Sequence, residues 1–266
     1  MSPEFLQILI FGTLAALGNV AGGMILFPSA WREFSRRYLR YLLALAAGFM
    51  LSVVLLEMFP AIISLWQQRY PGDENGLFLP MLLVVVGYLL TQFFEHTIAP
   101  HFHLGEEVHA GELIRTRTAY TATAGMLIHT FLDGMAIAAA SQVGAGLGFI
   151  VFVAIVLHKF PEGFTIGSMI LATGSGIRKV VVATSLLGFA TLAGAVIFHY
   201  VGSISAEAVA YTLPLAGGVT LYVAASDLIP EVNHHGGHHA SVSLSVFAGV
   251  ALFFGAHFIL HSYVGH

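Results

Sequence analysis

"HKFPEG", His158–Gly163, lies in the middle of "FIVFVAIVLHKFPEGFTIGSMILA", Phe149–Ala172, a run otherwise apolar enough to cross a bilayer. Six consecutive residues there hold an imidazole, an ammonium, a helix breaker and a carboxylate. A charged side chain at the centre of a membrane helix costs about 2.5–3.5 kcal/mol on insertion scales. Proline removes a backbone donor and crowds the carbonyl four residues earlier. Lipid tolerates such a cluster only where it faces the inside of a bundle. The stretch therefore predicts a polar site buried among membrane helices.

The rest of the chain supplies that bundle. Hydrophobic residues make up 57% of 266 positions, and Asp, Glu, Lys and Arg only 9%, where a soluble domain carries about 25% charged residues. Mean hydropathy is +0.85. These values predict an all-α polytopic membrane protein whose surroundings are lipid, and nothing points to nucleic acid. With no cysteine, disulfides and thiolate ligands are excluded, and any metal must be held by His, Asp, Glu, Met or backbone oxygens. Met1–Glu4 lack a basic leader region, so the first apolar run is expected to be a span.

Eight stretches approach the roughly 20 residues a bilayer core requires: Phe5–Pro28, Tyr41–Ile63, Leu77–Ala99, Ala119–Ala140, Leu147–Ala172, Val180–Val201, Ala208–Ile229 and Val242–Tyr263. Together they predict one transmembrane domain over residues 1–266. Arg32, Arg36, Arg37, Arg40, Arg115, Arg117, Arg178 and Lys179 fall in odd-numbered loops, Arg69 alone falls in an even one, and Lys159 lies in the membrane. By the positive-inside rule the odd loops face the cytoplasm and both termini lie outside. The expected location is the plasma (inner) membrane.

An internal echo adds symmetry. "LSVVLLEMFP", Leu51–Pro60, and "LYVAASDLIP", Leu221–Pro230, share Leu, Val, an acid and Pro at the same four offsets. The two spans run in opposite directions, which predicts an inverted repeat of spans 1–3 and 6–8 around a central pair, a 3+2+3 arrangement typical of transporters.

Span four contains "HTFLDG", His129–Gly134, the partner of "HKFPEG". In each, a His and a carboxylate stand four residues apart, on one helix face, with glycine next. The connection near Ser141–Gly146 is short, so the two helices are expected to be adjacent and antiparallel. From Ala119 to His129 the rise is about 15 Å, half of a roughly 30 Å core. His129, Asp133, His158 and Glu162 then converge near mid-membrane, a set of donors suited to a divalent transition metal. Pro161 leaves the carbonyl of Leu157 without its helical donor, and Gly134 and Gly163 let helices approach closely.

These dyads, in this topology, resemble the ZIP (Zrt/Irt-like) family of divalent-metal transporters, and "AAGFMLSVVLLEMFPA", Ala46–Ala61, is similar to the second span of bacterial zinc-uptake members. The resemblance implies carriage of zinc, or of iron, manganese, cobalt or cadmium, into the cytoplasm, with no cofactor and no enzymatic activity. It also implies an elevator-like motion of spans 1, 4, 5 and 6 against 2, 3, 7 and 8, with Glu57 and Asp227 in the static half. Binuclear relatives carry Asn or Asp after each His and a Glu in span six. Here those places hold Thr130, Lys159 and, in "GFATLAGA", Thr191. The resemblance thus implies one ion, held by His129, Asp133, His158 and Glu162 with Met50 as a soft fifth ligand. Lys159 would stand where a second ion sits.

Glu57 and Asp227 are expected to line the route of the ion. The loop "NHHGGHHA", Asn233–Ala240, with His234, His235, His238 and His239, suits a cytoplasmic metal relay, joined by His101, His103 and His109. Glu95 and His96 read as interfacial, and His199, His257 and His261 as isolated. Two other classes fit parts of this pattern. An intramembrane zinc hydrolase would use Glu162 or Asp133 as base, and a retinal-type pump would use Lys159. Neither accounts for both the dyads and the repeat. The expected partners are the metal ion and the bilayer, with a homodimer left open.

Overall fold

The computed structural model describes residues 2–27, 29–72, 76–98, 116–236 and 240–264, and every regular element among them is helical. In chain order these are α1 (Pro3–Met24), α2 (Ser29–Val53), a π-helical turn (Val54–Met58), α3 (Phe59–Arg69), α4 (Phe78–Ile98), α5 (Thr116–Val143), α6 (Ala145–Ala172) and α7 (Ile177–Ile204). They are followed by α8 (Ala206–Tyr222), a second π-helical turn (Val223–Leu228), α9 (Ile229–Gly236) and α10 (Ala240–Val264). Among the described residues, seven helical rods are long and apolar enough to cross a membrane, and Phe78–Phe94 is a shorter apolar helix.

Local chemistry sets several boundaries. Ser2 caps α1, its Oγ accepting from the Phe5 amide at 3.2 Å, with Pro3 in the first turn, where a missing N–H costs nothing. Gly144 alone, in extended conformation, joins α5 to α6, so these helices turn directly back on each other. Gly174 ends α6 at φ +78°, a left-handed conformation that glycine adopts without strain. The expected flexible loop from Asn233 is helical as far as Gly236, and His238 and His239 lie outside the described residues, as do His101, His103 and His109.

Proline produces the two π-helical turns. Pro60 and Pro230 each lack an N–H, and each ring crowds the carbonyl four residues back. The chain widens ahead of both: Phe59 N–H donates to the Val54 carbonyl and Ile229 N–H to that of Ala224, five residues earlier in each case. Glu57 and Asp227 each sit next to last in these turns, three residues before the proline.

The helices pack as two sets. α1 lies against α6 and α7, and α5 against the same two; α2 lies against α10, and α4 against α8. α5 with α8, and α2 with α6, join the sets. In lipid, helices associate through small residues that bring backbones together rather than through a hydrophobic drive. Four crossings here are reciprocal glycine contacts, in which a Cβ would strike the opposing backbone carbonyl. Gly163 meets Asn19 and Gly22 meets Phe160, where α1 crosses α6. Gly134 meets Thr191 and Gly194 meets Phe131, where α5 crosses α7. Gly48 and Gly249 do the same for α2 on α10, and Gly87 and Gly218 for α4 on α8. The glycines of the dyads thus press α5 onto α7 and α6 onto α1, rather than onto each other.

Candidate functional site

The direct turn at Gly144 brings α5 and α6 side by side, and the four-residue spacing within each dyad aims both pairs at the same space. His129, Asp133, His158 and Glu162 each offer one ligand atom, all within 4.8 Å of one another, and all four residues are buried. His129 is 3% exposed and the other three 1% or less, so the cluster is closed to bulk solvent.

Asp133 is the hub. Its Oδ2 lies 3.3 Å from His129 Nε2, 3.3 Å from His158 Nε2 and 2.6 Å from Lys159 Nζ. Glu162 Oε2 lies 2.7 Å from the same ammonium and 3.9 Å from His158 Nε2. His158 Nδ1 sits 3.2 Å from the Ala154 carbonyl. A carbonyl only accepts, so Nδ1 carries its hydrogen there and Nε2 is the ring atom turned to the cluster. The two imidazoles face each other at 6.0 Å, 67° apart in plane.

Lys159 is fully buried, and its ammonium bridges the two carboxylates. One cation between two anions leaves the group with a formal charge of −1 if both imidazoles are neutral. Such a buried arrangement is tolerable only because each charge is paired and hydrogen-bonded. Its stem fits because α1 presents Gly18 there: a Cβ at Gly18 would come within 3.1 Å of Lys159 Cβ.

The other expected residues fall into place unevenly. Thr130 and Thr191 are fully buried, but their hydroxyls donate to carbonyls of their own helices, Leu127 at 3.1 Å and Leu187 at 3.3 Å. Met50 is fully buried on α2, the helix that meets α6. Asp227 is buried. Glu57, partly buried in the first π-helical turn, hydrogen-bonds His257 Nδ1 of α10. That pairing corrects the reading of His257 as isolated, a pairing hidden by 200 residues of sequence separation. His199 likewise packs beside Phe5, the rings tilted by 34° with centres 5.1 Å apart. His96 is exposed at the end of α4, and His234 and His235 lie on α9.

Among the buried polar residues that escaped the sequence reading, Asn19 is the one beside the site. Asn19, fully buried on α1, has its side-chain amide beside Glu162 and the Lys159 carbonyl. The signal was present: a lone amide in an apolar span is costly and by default has a purpose.

Known proteins point the same way as the donor set. Residues 103–261 match the family model "ZIP Zinc transporter". Zinc transporter ZIP9 of Micropogonias undulatus is 30% identical over 197 residues, covering 69% of this chain and 63% of that protein. Zinc transporter ZIP9-B of Xenopus laevis is 29% identical over 196 residues, covering 69% and 64%. Zinc transporter ZIP6 of Homo sapiens is 32% identical over 114 residues, covering 41% and 14%. The chain thus spans less than two thirds of the length of these relatives.

Proposed function

The chain belongs to the ZIP zinc transporter family, and from that premise we propose that it carries a divalent transition metal, zinc foremost, into the cytoplasm through one mid-membrane site. The observation that carries this reading is the convergence of His129, Asp133, His158 and Glu162, all buried, with donor atoms within 4.8 Å. Two imidazoles and two carboxylates around one centre suit Zn²⁺, with bonds of about 2.0–2.2 Å. Tetrahedral ligands at those lengths stand roughly 3.4 Å apart, so the donors must draw in when the ion enters. Met50, on a helix that meets α6, is proposed as a fifth ligand.

The site holds one ion. Lys159 Nζ occupies the oxygens that a metal would take, Asp133 Oδ2 and Glu162 Oε2, and its charge stands where a second ion would need anions. Thr130 and Thr191 spend their hydroxyls on backbone carbonyls, which supports the same stoichiometry.

The 3+2+3 inverted repeat of eight spans is supported by the matched π-helical turns and by the reciprocal glycines. Exchanging α1 for α7 and α6 for α5 turns the crossing of Gly22 with Gly163 into that of Gly194 with Gly134. Exchanging α2 for α8 and α10 for α4 turns that of Gly48 with Gly249 into that of Gly218 with Gly87. Movement is elevator-like, α1, α5, α6 and α7 sliding against the remaining helices, with cytoplasmic odd loops and extracytoplasmic termini. Glu57 and Asp227 belong to the second set and line the route, and His234, His235, His238 and His239 receive the ion on the cytoplasmic side. Replacing those four with Ser should leave measurable flux, since they stand outside the membrane path, and loss of all flux in well-expressed protein would contradict that placement.

The test is Zn²⁺ uptake into proteoliposomes, with Mn²⁺, Fe²⁺, Co²⁺ and Cd²⁺ as competitors. Alanine at His129, Asp133, His158 or Glu162 should remove most uptake while the protein still accumulates. Near-normal uptake in two of the four variants would overturn the site, and lipid hydrolysis without uptake would favour a zinc hydrolase.

A further inference from the structure

We propose that Asn19 is a positioning residue of the metal site, whose side-chain amide fixes the orientation of Glu162 and thereby favours small, low-coordinate ions over larger ones. This rests on the reading of His129, Asp133, His158 and Glu162 as ligands of the cargo.

Asn19 is fully buried, and the other buried residues of α1 are Ile8, Phe11, Gly12, Ala15, Gly22 and Gly23. Its amide is therefore the side-chain hydrogen-bonding group on that face among the described residues. With the amide oriented to satisfy both its ends, Nδ2 donates to the Lys159 carbonyl at 2.7 Å and to Glu162 Oε1 at 3.3 Å. The residue cannot drift away, because its own carbonyl is pressed against Gly163, next to Glu162.

The consequence lies in how Glu162 divides its two oxygens. Oε1 is held by a fixed, neutral amide, and Oε2 by the Lys159 ammonium on its long stem. When an ion displaces the ammonium, Oε2 is released and Oε1 is not. Glu162 then ligates through one oxygen. A single oxygen keeps the coordination number low, as Zn²⁺ prefers, whereas oxygen-rich, higher coordination suits Mn²⁺ and other hard ions. Asp133 has no equivalent support from α7. Thr191 lies three residues before Gly194 and against Gly134, as Asn19 lies three before Gly22 and against Gly163. Its hydroxyl, however, turns back to the Leu187 carbonyl.

The experiment compares Asn19→Leu, similar in shape but without the donor, with the unaltered protein in proteoliposomes. The KM for Zn²⁺ should rise about tenfold, with the maximal rate nearly unchanged, as for loss of a group that orients a ligand. The Mn²⁺-to-Zn²⁺ ratio of kcat/KM should rise about fivefold, since a freed Oε1 adds a hard oxygen donor. Purified protein loaded with Co²⁺ should lose visible absorption as coordination increases, a readout independent of transport. An unchanged ratio with an unchanged Co²⁺ spectrum would overturn the proposal, and Asn19→Ala gives the same reading should the Leu variant fail to accumulate. His129→Ala separates the two levels. If it leaves both uptake and the Co²⁺ spectrum intact, the ligand assignment fails; if it abolishes them while Asn19→Leu changes nothing, only the role of Asn19 fails.

Discussion

Lys159 and an incoming ion compete for the same atoms. The ammonium lies 2.6 Å from Asp133 Oδ2 and 2.7 Å from Glu162 Oε2, so binding requires a local exchange of one cation for another. Two unit charges 4 Å apart interact by about 4 kcal/mol at an effective dielectric of about 20, enough to make the exchange steep in both directions. Without Lys159, two buried carboxylates would face each other unpaired, and removal of one partner from a buried pair costs about 3–5 kcal/mol. Lys159→Met should therefore melt several degrees lower when metal-free and gain more from added Zn²⁺ than the unaltered protein does, read by thermal unfolding in detergent. A metal-free midpoint equal to that of the unaltered protein would show that the ammonium is not what neutralises the empty site. Anomalous scattering from Cd²⁺-soaked crystals should give one peak between α5, α6 and α7, and two peaks a few Å apart there would contradict the single-ion reading. The clustering of His129, Asp133, His158 and Glu162 was legible in the sequence because i, i+4 spacing is intrinsic to a helix. Asn19 and the pairing of Glu57 with His257 were not, because each depends on which distant helix lies alongside.

At the scale of elements, the likeness of Leu51–Pro60 to Leu221–Pro230 was legible as four shared letters, and its physical basis is proline. Pro60 and Pro230 force the same widening of the helix one turn ahead of them, which keeps Glu57 and Asp227 at matched offsets. The glycine crossings were only half legible. Glycine beside each carboxylate signals close approach, but the sequence does not say to which neighbour, and the partners are α7 and α1. A methyl group at Gly163 would strike the Asn19 carbonyl, and one at Gly134 that of Thr191. Backbone cannot yield as a flexible side chain can, and overpacking of this kind costs about 1–3 kcal/mol. Gly163→Ala and Gly134→Ala should each lower the unfolding midpoint and the transport rate together. Gly146→Ala, where a Cβ meets nothing within 4 Å, should do neither. Equal midpoints in all three variants would mean that these crossings are looser than the glycines imply.

For the whole molecule, the same eight glycines distribute the helices. They join α1 to α6, α5 to α7, α2 to α10 and α4 to α8, and these reciprocal contacts fall within the two sets of helices rather than between them. A cleft of about 480 Å³ opens between the sets, with Ser64 and Gln68 of α3 on one wall and Gln142 of α5 and Gly202 of α7 on another. Backbone contact makes the interior of each set resistant to shear, whereas a boundary of side chains and open space permits sliding. The proposed elevator motion therefore places its moving boundary at this cleft, with the ligands of α5 and α6 travelling together on one side. A chain without cysteine makes the idea directly testable. Ser64→Cys with Gln142→Cys, bridged through two disulfides by a short bis-methanethiosulfonate, should tie the two sets together and suppress Zn²⁺ uptake at least about tenfold, in proportion to the fraction cross-linked. Reduction should restore it, and each single variant treated alike should transport normally. Full uptake in fully cross-linked protein would mean that the ion crosses without relative movement of these helices, and that the cleft is not the sliding boundary.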